Sequence, residues 1–340
     1  MKITRTLIAL GMALAAAALL IFMPGCQKKQ YYLNEGLVFG TYYNIRYEGT
    51  RDMEKEIKAE LARMDSSLSI YNKASIISRV NRNDEVETDS LFEKMFTTAV
   101  EVTKMSHGAF DITCGPLVNE WGFGTKQKGH TPSQQEIDSI LQFVGFQYVE
   151  LDTVHHRIAK MDTRIQLDAS AIAKGYGCDI IANYLASQGC ENYLVDIGGE
   201  IVCKGHAEKK NKWRLGITKP IDDPTGDVQE LEEIIEVNDM CIASSGNYRR
   251  FYYDDGGERR SHTVDPRTGY PVNHNLLSAT VIAESGIRAD ALATACMVLG
   301  EEAALKMIEK TEDASCHLIL AEGDGTRIVV SSRWLEDVNE

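Results

Sequence analysis

The sequence is short of positive charge. It has 36 lysine and arginine residues against 50 aspartate and glutamate residues, which gives a formal net charge of -14. Affinity for nucleic acid depends largely on cationic side chains that neutralise phosphates, and no lysine- or arginine-rich stripe offsets this acidic balance. The composition therefore argues against nucleic acid as a partner. An anionic small molecule would need a local site, with a cation to hold it.

Several common site motifs are also missing. No Gly-x-Gly-x-x-Gly follows a strand-like run, which disfavours a Rossmann-type flavin oxidoreductase. The eight cysteines include no Cys-x-x-Cys pair, and no histidine stands at zinc-ligand spacing from them. Seven of the cysteines lie beyond the N-terminal segment, an odd number that cannot all pair. We therefore predict mostly buried free thiols and no disulfide framework.

One long apolar run stands out, and it lies at the N-terminus. Lys2 and Arg5 precede apolar residues over 7–23, a run too short and too close to the N-terminus for a spanning helix but suited to a secretion signal. It ends in Met-Pro-Gly-Cys, which resembles a bacterial lipoprotein cleavage site. We predict a signal peptide over 1–25, a lipidated Cys26 with a tether over 26–32, and one domain over 33–340. The alternative is an uncleaved anchor, and either would hold the body at a membrane outside the cytoplasm.

The rest of the chain has ordinary globular composition, with 44% hydrophobic and 25% charged residues overall. Strand-like runs are interspersed with helical periodicity, and we find no linker and no internal repeat, so we predict a single α+β domain. A strand is predicted over 33–47 with Gly40 inside it, and the glycines of 108–124 are expected to interrupt regular structure. Helices are predicted from about residues 53, 89, 133, 168, 288 and 301.

The junction at 165–176 organises the prediction, because a strand-like run there turns straight into an alanine-rich helical one. A helix N-terminus presents unpaired N–H groups and a positive dipole, so a phosphorylated ligand could rest there with Lys174 one turn into the helix. Asp168 stands at the predicted start of this helix. It is interpreted either as an N-terminal cap or as a ligand contact.

A second candidate site lies in the helical run over 287–295. Helical spacing places Asp290 and Thr294 four residues apart on one face. A carboxylate and a hydroxyl in this arrangement could hold Mg²⁺, a hard ion that leaves positions open for phosphate and water. The alternative is an aspartate that complements the helix dipole and a threonine packed among alanines.

A third candidate segment is His262 at the entrance to a Pro/Gly turn over 262–271. Histidine is the side chain most easily used as a base near neutral pH, although a single histidine can equally be structural. The nearby segment over 243–249 combines hydroxyls, a glycine turn and Arg249, which suits a phosphate or a ribose. Its alternative is a capped turn between strands.

Six segments occur in an order and rough spacing that resemble ApbE-like FAD:protein FMN transferases. They lie at 110–113, 168–176, 196–199, 245–246, 262–271 and 289–294, and the resemblance runs from about Phe39 to about Thr326. It implies a two-layer α+β fold related to the T-fold. It also implies a periplasmic, often lipid-anchored enzyme that uses Mg²⁺ to move FMN from FAD onto a threonine or serine of a target flavoprotein, releasing AMP. The target would be a respiratory redox subunit, and the enzyme would lie on the periplasmic side of the bacterial inner membrane.

The resemblance also implies roles for individual residues. Mg²⁺ would be bound by the Ala171 carbonyl, the side chains of Asp290 and Thr294, and an oxygen at Ala293. Phe39 stands where many members have a methionine against the flavin, and it could stack there instead. FAD would be contacted at Tyr71, Ala109, Phe110, Asp111, Asp168, Lys174 and Val264.

Attack of a hydroxyl on a phosphoanhydride needs neutralised phosphates and a positioned nucleophile, so one metal ion, Lys174 and a base would suffice. His262 is the candidate base. Two rival functions use the same binding residues: an FAD diphosphatase that gives FMN and AMP, and a carrier that binds FAD without catalysis. The segments at 245–247 and 267–269 resemble a penicillin-recognising serine hydrolase, but Ser170 and Lys174 are too far apart for its Ser-x-x-Lys motif.

Overall fold

The computed structural model describes residues 28–125, 131–221, 230–248, 250–254 and 256–338. The predicted signal peptide and Cys26 lie outside these residues. The α-helices within the described ranges are α1 (Glu54–Leu68), α2 (Ile76–Asn81), α3 (Ser90–Met105), α4 (Gly115–Glu120), α5 (Gln134–Leu141), α6 (Ala173–Ser187), α7 (Gly286–Leu299), α8 (Glu301–Ile308) and α9 (Trp334–Asp337). None of these helices is long and apolar enough to cross a membrane.

Fourteen strands lie in the same part of the chain. They are β1 (Gln30–Val38), β2 (Thr41–Gly49), β3 (Val149–Asp152), β4 (Arg157–Lys160), β5 (Tyr193–Ile197), β6 (Glu200–Lys204), β7 (Trp213–Thr218), β8 (Leu231–Val237), β9 (Met240–Gly246), β10 (Phe251–Tyr253), β11 (Arg259–Ser261), β12 (Leu276–Ala283), β13 (Ala314–Glu322) and β14 (Gly325–Val330). Eight of them form one antiparallel sheet in the order β1-β2-β5-β6-β9-β12-β13-β14. The other strands form three two-stranded ribbons, β3–β4, β7–β8 and β10–β11.

The large sheet buries both of its faces. Alternate residues of β2, such as Ile45 and Tyr47, pack with α1 and α6 on one face, where Val281 and Leu318 also join the core with α3 and α7. Successive residues of a strand point to opposite faces, so Ile319 faces the other side. There it packs against the β7–β8 ribbon and Trp334 of α9. The predicted α+β architecture is confirmed, with a helical layer on one face of the sheet and a ribbon over the other.

Three local predictions were wrong. The run over 33–47 is not one strand but the hairpin β1–β2, because Phe39 and Gly40 both adopt positive φ (51° and 76°) and form its turn. β1 begins at Gln30, within the segment predicted as a tether. The segment over 108–124, in which the glycines were expected to interrupt regular structure, contains a 3-10 helix at Ile112–Cys114 followed by α4. Residues 165–167 form no strand, and α6 begins only at Ala173.

Other predictions hold closely. The helix predicted from about residue 89 is α3, which Asp89 caps by accepting a hydrogen bond from the Phe92 N–H. The helix predicted from about residue 133 is α5, and Ser133 and Glu136 form a capping box at its start. All seven cysteines in the described ranges are free, and five of them are buried. Covalent cross-links therefore play no part in holding this region of the chain together.

The helices α6 and α7 pack unusually closely, with glycines at the contact. A Cβ atom on Gly175 would overlap the carbonyl oxygen of Gly286, and a Cβ on Gly286 would lie 2.5 Å from the carbonyl oxygen of Gly175. Each helix also supplies a carboxylate to the first turn of the other. Asp179 of α6 accepts hydrogen bonds from the N–H groups of Gly286 (2.7 Å) and Ile287 (2.8 Å), and Asp290 of α7 accepts one from Gly175 (2.9 Å). These contacts fix the N-terminal ends of both helices side by side.

The close approach predicts that Gly175→Ala is strongly destabilising. The added methyl group would overlap backbone rather than a flexible side chain, so the helices must separate, and we expect a loss of about 3 kcal/mol in the free energy of unfolding. Chemical denaturation of the domain over 33–340 measures this loss in the free energy of unfolding. Gly325→Ala is the matched control, because its Cβ would meet only the Glu322 carbonyl oxygen at 3.8 Å. Equal stability of the two variants would contradict the role given to this contact.

Candidate functional site

A cleft of about 310 Å³ opens at the N-terminal ends of α6 and α7. Its walls come from the segment over 109–114, the segment over 168–171, β9, and the loop over 262–266. Eleven residues singled out from the sequence line this one cleft: Tyr71, Ala109, Phe110, Asp111, Asp168, Ala171, Lys174, His262, Val264, Asp290 and Thr294. Two do not. Phe39 lies in an adjoining cavity, and Ala293 is fully buried inside α7.

Asp111 supports the cleft wall from within. Its Oδ1 accepts a hydrogen bond from the Thr113 N–H and its Oδ2 one from the Phe146 N–H, each at 2.8 Å. Burial raises the pKa of this carboxyl, while the same backbone N–H groups act in the opposite direction. Because both oxygens are already engaged, Asp111 orders the 3-10 turn at Ile112–Cys114 and presents the neighbouring backbone of Ala109 and Phe110 to the cleft.

Asp168 is not the N-cap of α6, so one of its two interpretations was wrong. Its Oδ1 accepts a hydrogen bond from the Ser170 N–H at 2.8 Å, which closes a local Asx turn. Its own N–H donates to the Ile112 carbonyl at 2.7 Å and ties this segment to the opposite wall. The turn delays the start of α6 until Ala173, and the N-cap residue Ile172 makes no side-chain cap. Lys174 consequently sits in the first turn of the helix, at the cleft.

Lys174 lies between two carboxylates. Its Nζ is 2.8 Å from Glu200 Oε1 and 3.6 Å from Asp290 Oδ1. Burial opposes the charge on the lysine, but Asp290 and Glu200 together raise its pKa above the usual value, so the ammonium stays charged. Burial raises the pKa of Glu200, against the opposing effect of Lys174. The cleft therefore contains a fixed positive charge in a protein of net charge -14.

The oxygen atoms around α7 fit a hard divalent cation. Asp290 and Thr294 follow one another on the cleft side of the helix, and the Thr294 hydroxyl is 3.3 Å from that of Ser245 on β9. Ala171 lines the same wall. Within the described ranges, no three His, Cys, Asp or Glu side chains cluster as a metal site. A donor set with one carboxylate and otherwise neutral oxygens suits Mg²⁺. Substrate phosphates and water usually complete the coordination shell of this ion.

His262 lies at the rim of the loop over 262–271, which is rigidly held. Val264 pairs with Pro271 across the loop, and the Trp121 indole donates to the Gly269 carbonyl at 2.8 Å. Burial, followed by the charges of Arg250 and Lys174, lowers the pKa of His262 to about 4, so the imidazole is neutral near pH 7. Its Nδ1 is buried and has no hydrogen-bond partner in the described part of the chain. The ring is therefore in its neutral form, which is the form in which an imidazole can act as a base.

A second cavity of about 190 Å³ adjoins the cleft and shares Tyr71, Ser170, Lys174 and Arg250 with it. Phe39 faces this cavity from the β1–β2 turn, together with Met64 and Leu68. Tyr71 is 65% exposed, so its ring lines the cavities at their rim and is open to solvent on one side. The two cavities together offer a polar end near Lys174 and an aromatic, apolar end near Phe39.

Sequence reasoning missed two charged residues of the site. Arg250 lines both cavities and donates to the Phe123 carbonyl at 2.7 Å, whereas the expected Arg249 lies outside the described residues. Glu200 contacts Lys174 from the first position of β6. The Gly-Gly turn before it was recognised as part of a motif, but only the pairing of β5 with β6 brings residue 200 to the helix. Ser245 belongs to a segment that the sequence did single out.

The arrangement combines what a phosphoryl-transfer site needs. A fixed ammonium and a set of oxygen atoms that suits a divalent cation face the same space, and a neutral imidazole stands at its edge. Such a set can neutralise a diphosphate and accept a proton from an attacking hydroxyl. The adjoining apolar cavity is suited to a flat ring system.

Comparison with known proteins agrees with this chemistry. The model of the ApbE family matches residues 39–318. An FAD:protein FMN transferase of Haemophilus influenzae is 37% identical, covering 95% of this chain and 94% of its own length. Another, of Vibrio cholerae, is 36% identical over 94% of this chain and 97% of its own. The solved structure of the flavin transferase ApbE from Vibrio cholerae has a TM-score of 0.81 at 34% identity and covers 91% of this chain and 99% of that one.

Proposed function

The chain belongs to the ApbE family, and we propose that it is a Mg²⁺-dependent FAD:protein FMN transferase that releases AMP. The acceptor is a threonine or serine hydroxyl of a target flavoprotein, such as a respiratory redox subunit. One observation carries this proposal: Lys174, the Asp290–Thr294 pair and His262 all face one cleft, beside a cavity that suits a flavin ring. The two relatives described above are named FAD:protein FMN transferase, and their similarity to this chain extends over nearly their whole length.

The proposed reaction breaks the phosphoanhydride bond of FAD and forms a phosphoester bond to the acceptor. The acceptor oxygen forms a bond to the phosphorus on the FMN side of FAD, and the bond from that phosphorus to the bridging oxygen breaks, so AMP leaves. His262 takes the proton of the attacking hydroxyl. Lys174 holds the diphosphate and offsets its charge, and Asp290, Thr294 and the Ala171 carbonyl would hold Mg²⁺. When bound, Mg²⁺ supplies further neutralisation of the phosphate charge.

The negative charges of a bound substrate would change the pKa of His262. In the free protein the pKa of His262 is lowered to about 4 by burial and by the neighbouring cations Arg250 and Lys174. A bound diphosphate would offset both cations, which would raise the pKa of the imidazole toward its usual value. His262 would then be a stronger base when substrate is present than when the cleft holds only water.

The central experiment follows both products in one assay. The soluble domain is incubated with FAD and Mg²⁺, with and without a candidate acceptor carrying a threonine or serine flavinylation site. We expect AMP release and covalent in-gel flavin fluorescence that both require the acceptor and are both lost with a chelator. AMP release without acceptor would instead indicate an FAD diphosphatase, and binding of FAD with no AMP at all would indicate a carrier.

In the same assay, Asp290→Asn should lower turnover by about 10²–10³-fold, because it removes the only side-chain charge assigned to Mg²⁺ while retaining an oxygen for the Gly175 N–H. Asp313→Asn is the matched control. It removes an equal charge beside the same helix, where Asp313 pairs with Arg288 outside the cleft. Normal turnover of Asp290→Asn in the presence of chelator would remove the metal assignment.

His262→Ala should leave FAD affinity and melting temperature nearly unchanged and lower the transfer rate by about 10²–10⁴-fold, as loss of a general base does. A packing or capping histidine would behave differently, because stability and binding would fall together. His274→Ala provides that comparison, since His274 is held by the Met297 carbonyl at 2.9 Å and lies outside the cleft. Intact transfer in a folded His262→Ala variant would exclude the imidazole from the mechanism.

We also propose that Cys26 is lipidated and anchors the protein on the periplasmic side of the inner membrane. The proposal rests on the N-terminal sequence alone, in which the apolar run ends at Met-Pro-Gly-Cys. Cys26→Ser should abolish labelling by radioactive palmitate and release the protein from membrane fractions. Its activity toward FAD should be retained, because the anchor precedes the domain. A Cys26→Ser protein that is still labelled would contradict the assignment.

A further inference from the structure

Among the described residues two carboxylates contact Lys174, and Glu200 is the one that does not line the cleft. Its Oε1 is 2.8 Å from the Lys174 Nζ, and its side chain is only 4% exposed. Asp290, on the other side of the ammonium, is 0.8 Å farther away at 3.6 Å and does line the cleft. The Lys174 side chain is 29% exposed and lines the cleft, whereas Glu200 is not among the residues that line it. A diphosphate bound in the cleft could therefore reach Lys174 but not Glu200.

The position of Glu200 is fixed by its backbone. It begins β6 directly after a turn in which Gly198 and Gly199 both have positive φ (67° and 101°), and it pairs with Ile197 across that turn. The Cys178 thiol, one helical turn beyond Lys174 on α6, donates to the Glu200 carbonyl at 3.0 Å. Two successive turns of α6 thus contact residue 200. The carboxylate is attached to a rigid part of the sheet, and a rigid partner can orient a flexible lysine.

The contact with Lys174 accounts for the Glu200 carboxylate. The Oε2 atom of Glu200 is buried and accepts no hydrogen bond from any residue in the described ranges. One oxygen of this carboxylate therefore has no partner there, and the contact of Oε1 with the Lys174 ammonium has to offset that cost. What the negative charge does for the site then depends on where it holds the ammonium.

We propose that Glu200 is a positioning residue, which holds the Lys174 ammonium at the diphosphate end of the cleft and away from Asp290. With Glu200 in place, Asp290 is left available for the cation. Without its charge, the ammonium would move onto Asp290, the other carboxylate within reach, and both the diphosphate contact and the cation site would be weakened. This inference rests on the proposed function, because it assumes that FAD is the ligand.

The test is Glu200→Gln, which keeps the shape and one oxygen but removes the charge. FAD affinity is measured by flavin fluorescence in the presence of EDTA, before any turnover, and Mg²⁺ is then titrated into the FAD complex. We expect FAD to bind about tenfold more weakly and the half-saturating Mg²⁺ concentration to rise. The melting temperature should fall modestly, because Lys174 loses its nearer counter-charge but keeps Asp290 at 3.6 Å. A merely structural glutamate predicts lower stability with unchanged ligand affinity.

Two controls isolate the route through Lys174. Asp196→Asn makes the same charge change in the same hairpin, where Asp196 Oδ1 accepts from the Gly199 N–H at 2.9 Å, and it should leave FAD and Mg²⁺ binding unchanged. In a Lys174→Gln background, Glu200→Gln should have no further effect on either affinity. If Glu200→Gln does not fold, Glu200→Asp replaces it. FAD affinity is then expected to fall by about threefold, because the charge is kept but lies farther from Lys174.

The outcomes separate the two levels of inference. Wild-type FAD and Mg²⁺ affinities in the folded Glu200→Gln variant would overturn the positioning role while leaving the transferase assignment intact. A full effect of Glu200→Gln in the Lys174→Gln background would also overturn it, since Glu200 would then act by another route. A wild-type protein that does not bind FAD at all would overturn the proposed function and this inference together.

Discussion

The close contact between α6 and α7 is the constraint on which the site depends. Gly175 and Gly286 let the two backbones approach where any Cβ would overlap a carbonyl oxygen, and Asp179 and Asp290 satisfy N–H groups across the contact. Burial raises the pKa of Asp179 to about 6, against the effect of the two N–H groups that it accepts from. Lys174 stands in the first turn of α6 and Asp290 near the start of α7. A small separation of the helices would therefore move the Asp290 carboxylate away from the ammonium.

Asp290 joins the architecture to the chemistry. Its Oδ2 accepts the Gly175 N–H, while its Oδ1 faces Lys174 and the cleft. One oxygen therefore joins the two helices and the other contacts the Lys174 ammonium, so the hydrogen bond that sets the packing also sets the position of Asp290 in the cleft. This dual role explains why substitutions at residue 290 must preserve an acceptor if they are to report on catalysis alone. An alanine there would alter both.

The sequence allowed prediction wherever a local rule decided the outcome. The spacing of Asp290 and Thr294 follows from helical periodicity, and the caps at Asp89 and Ser133 follow from residue type and position. Prediction failed where competing local bonds or distant pairings decided. The Asp168 side chain accepts a hydrogen bond within an Asx turn, which shifts the start of α6 by several residues. Residue 200 reaches Lys174 only through the pairing of β5 with β6. Neither event leaves a periodic signal in the sequence.

The acidic balance of the chain explains why these contacts have to be built so firmly. A protein of net charge -14 does not attract an anionic substrate over long distances, and at physiological ionic strength charges separated by more than about 8 Å are largely screened. Affinity for a diphosphate must then come from cations within contact distance of it. Lys174 and Arg250 both line the cleft, and each is held in place, one by Glu200 and the other by the Phe123 carbonyl. Pre-positioned cations lose little conformational entropy when the ligand arrives, so a few local charges can outweigh an unfavourable overall field.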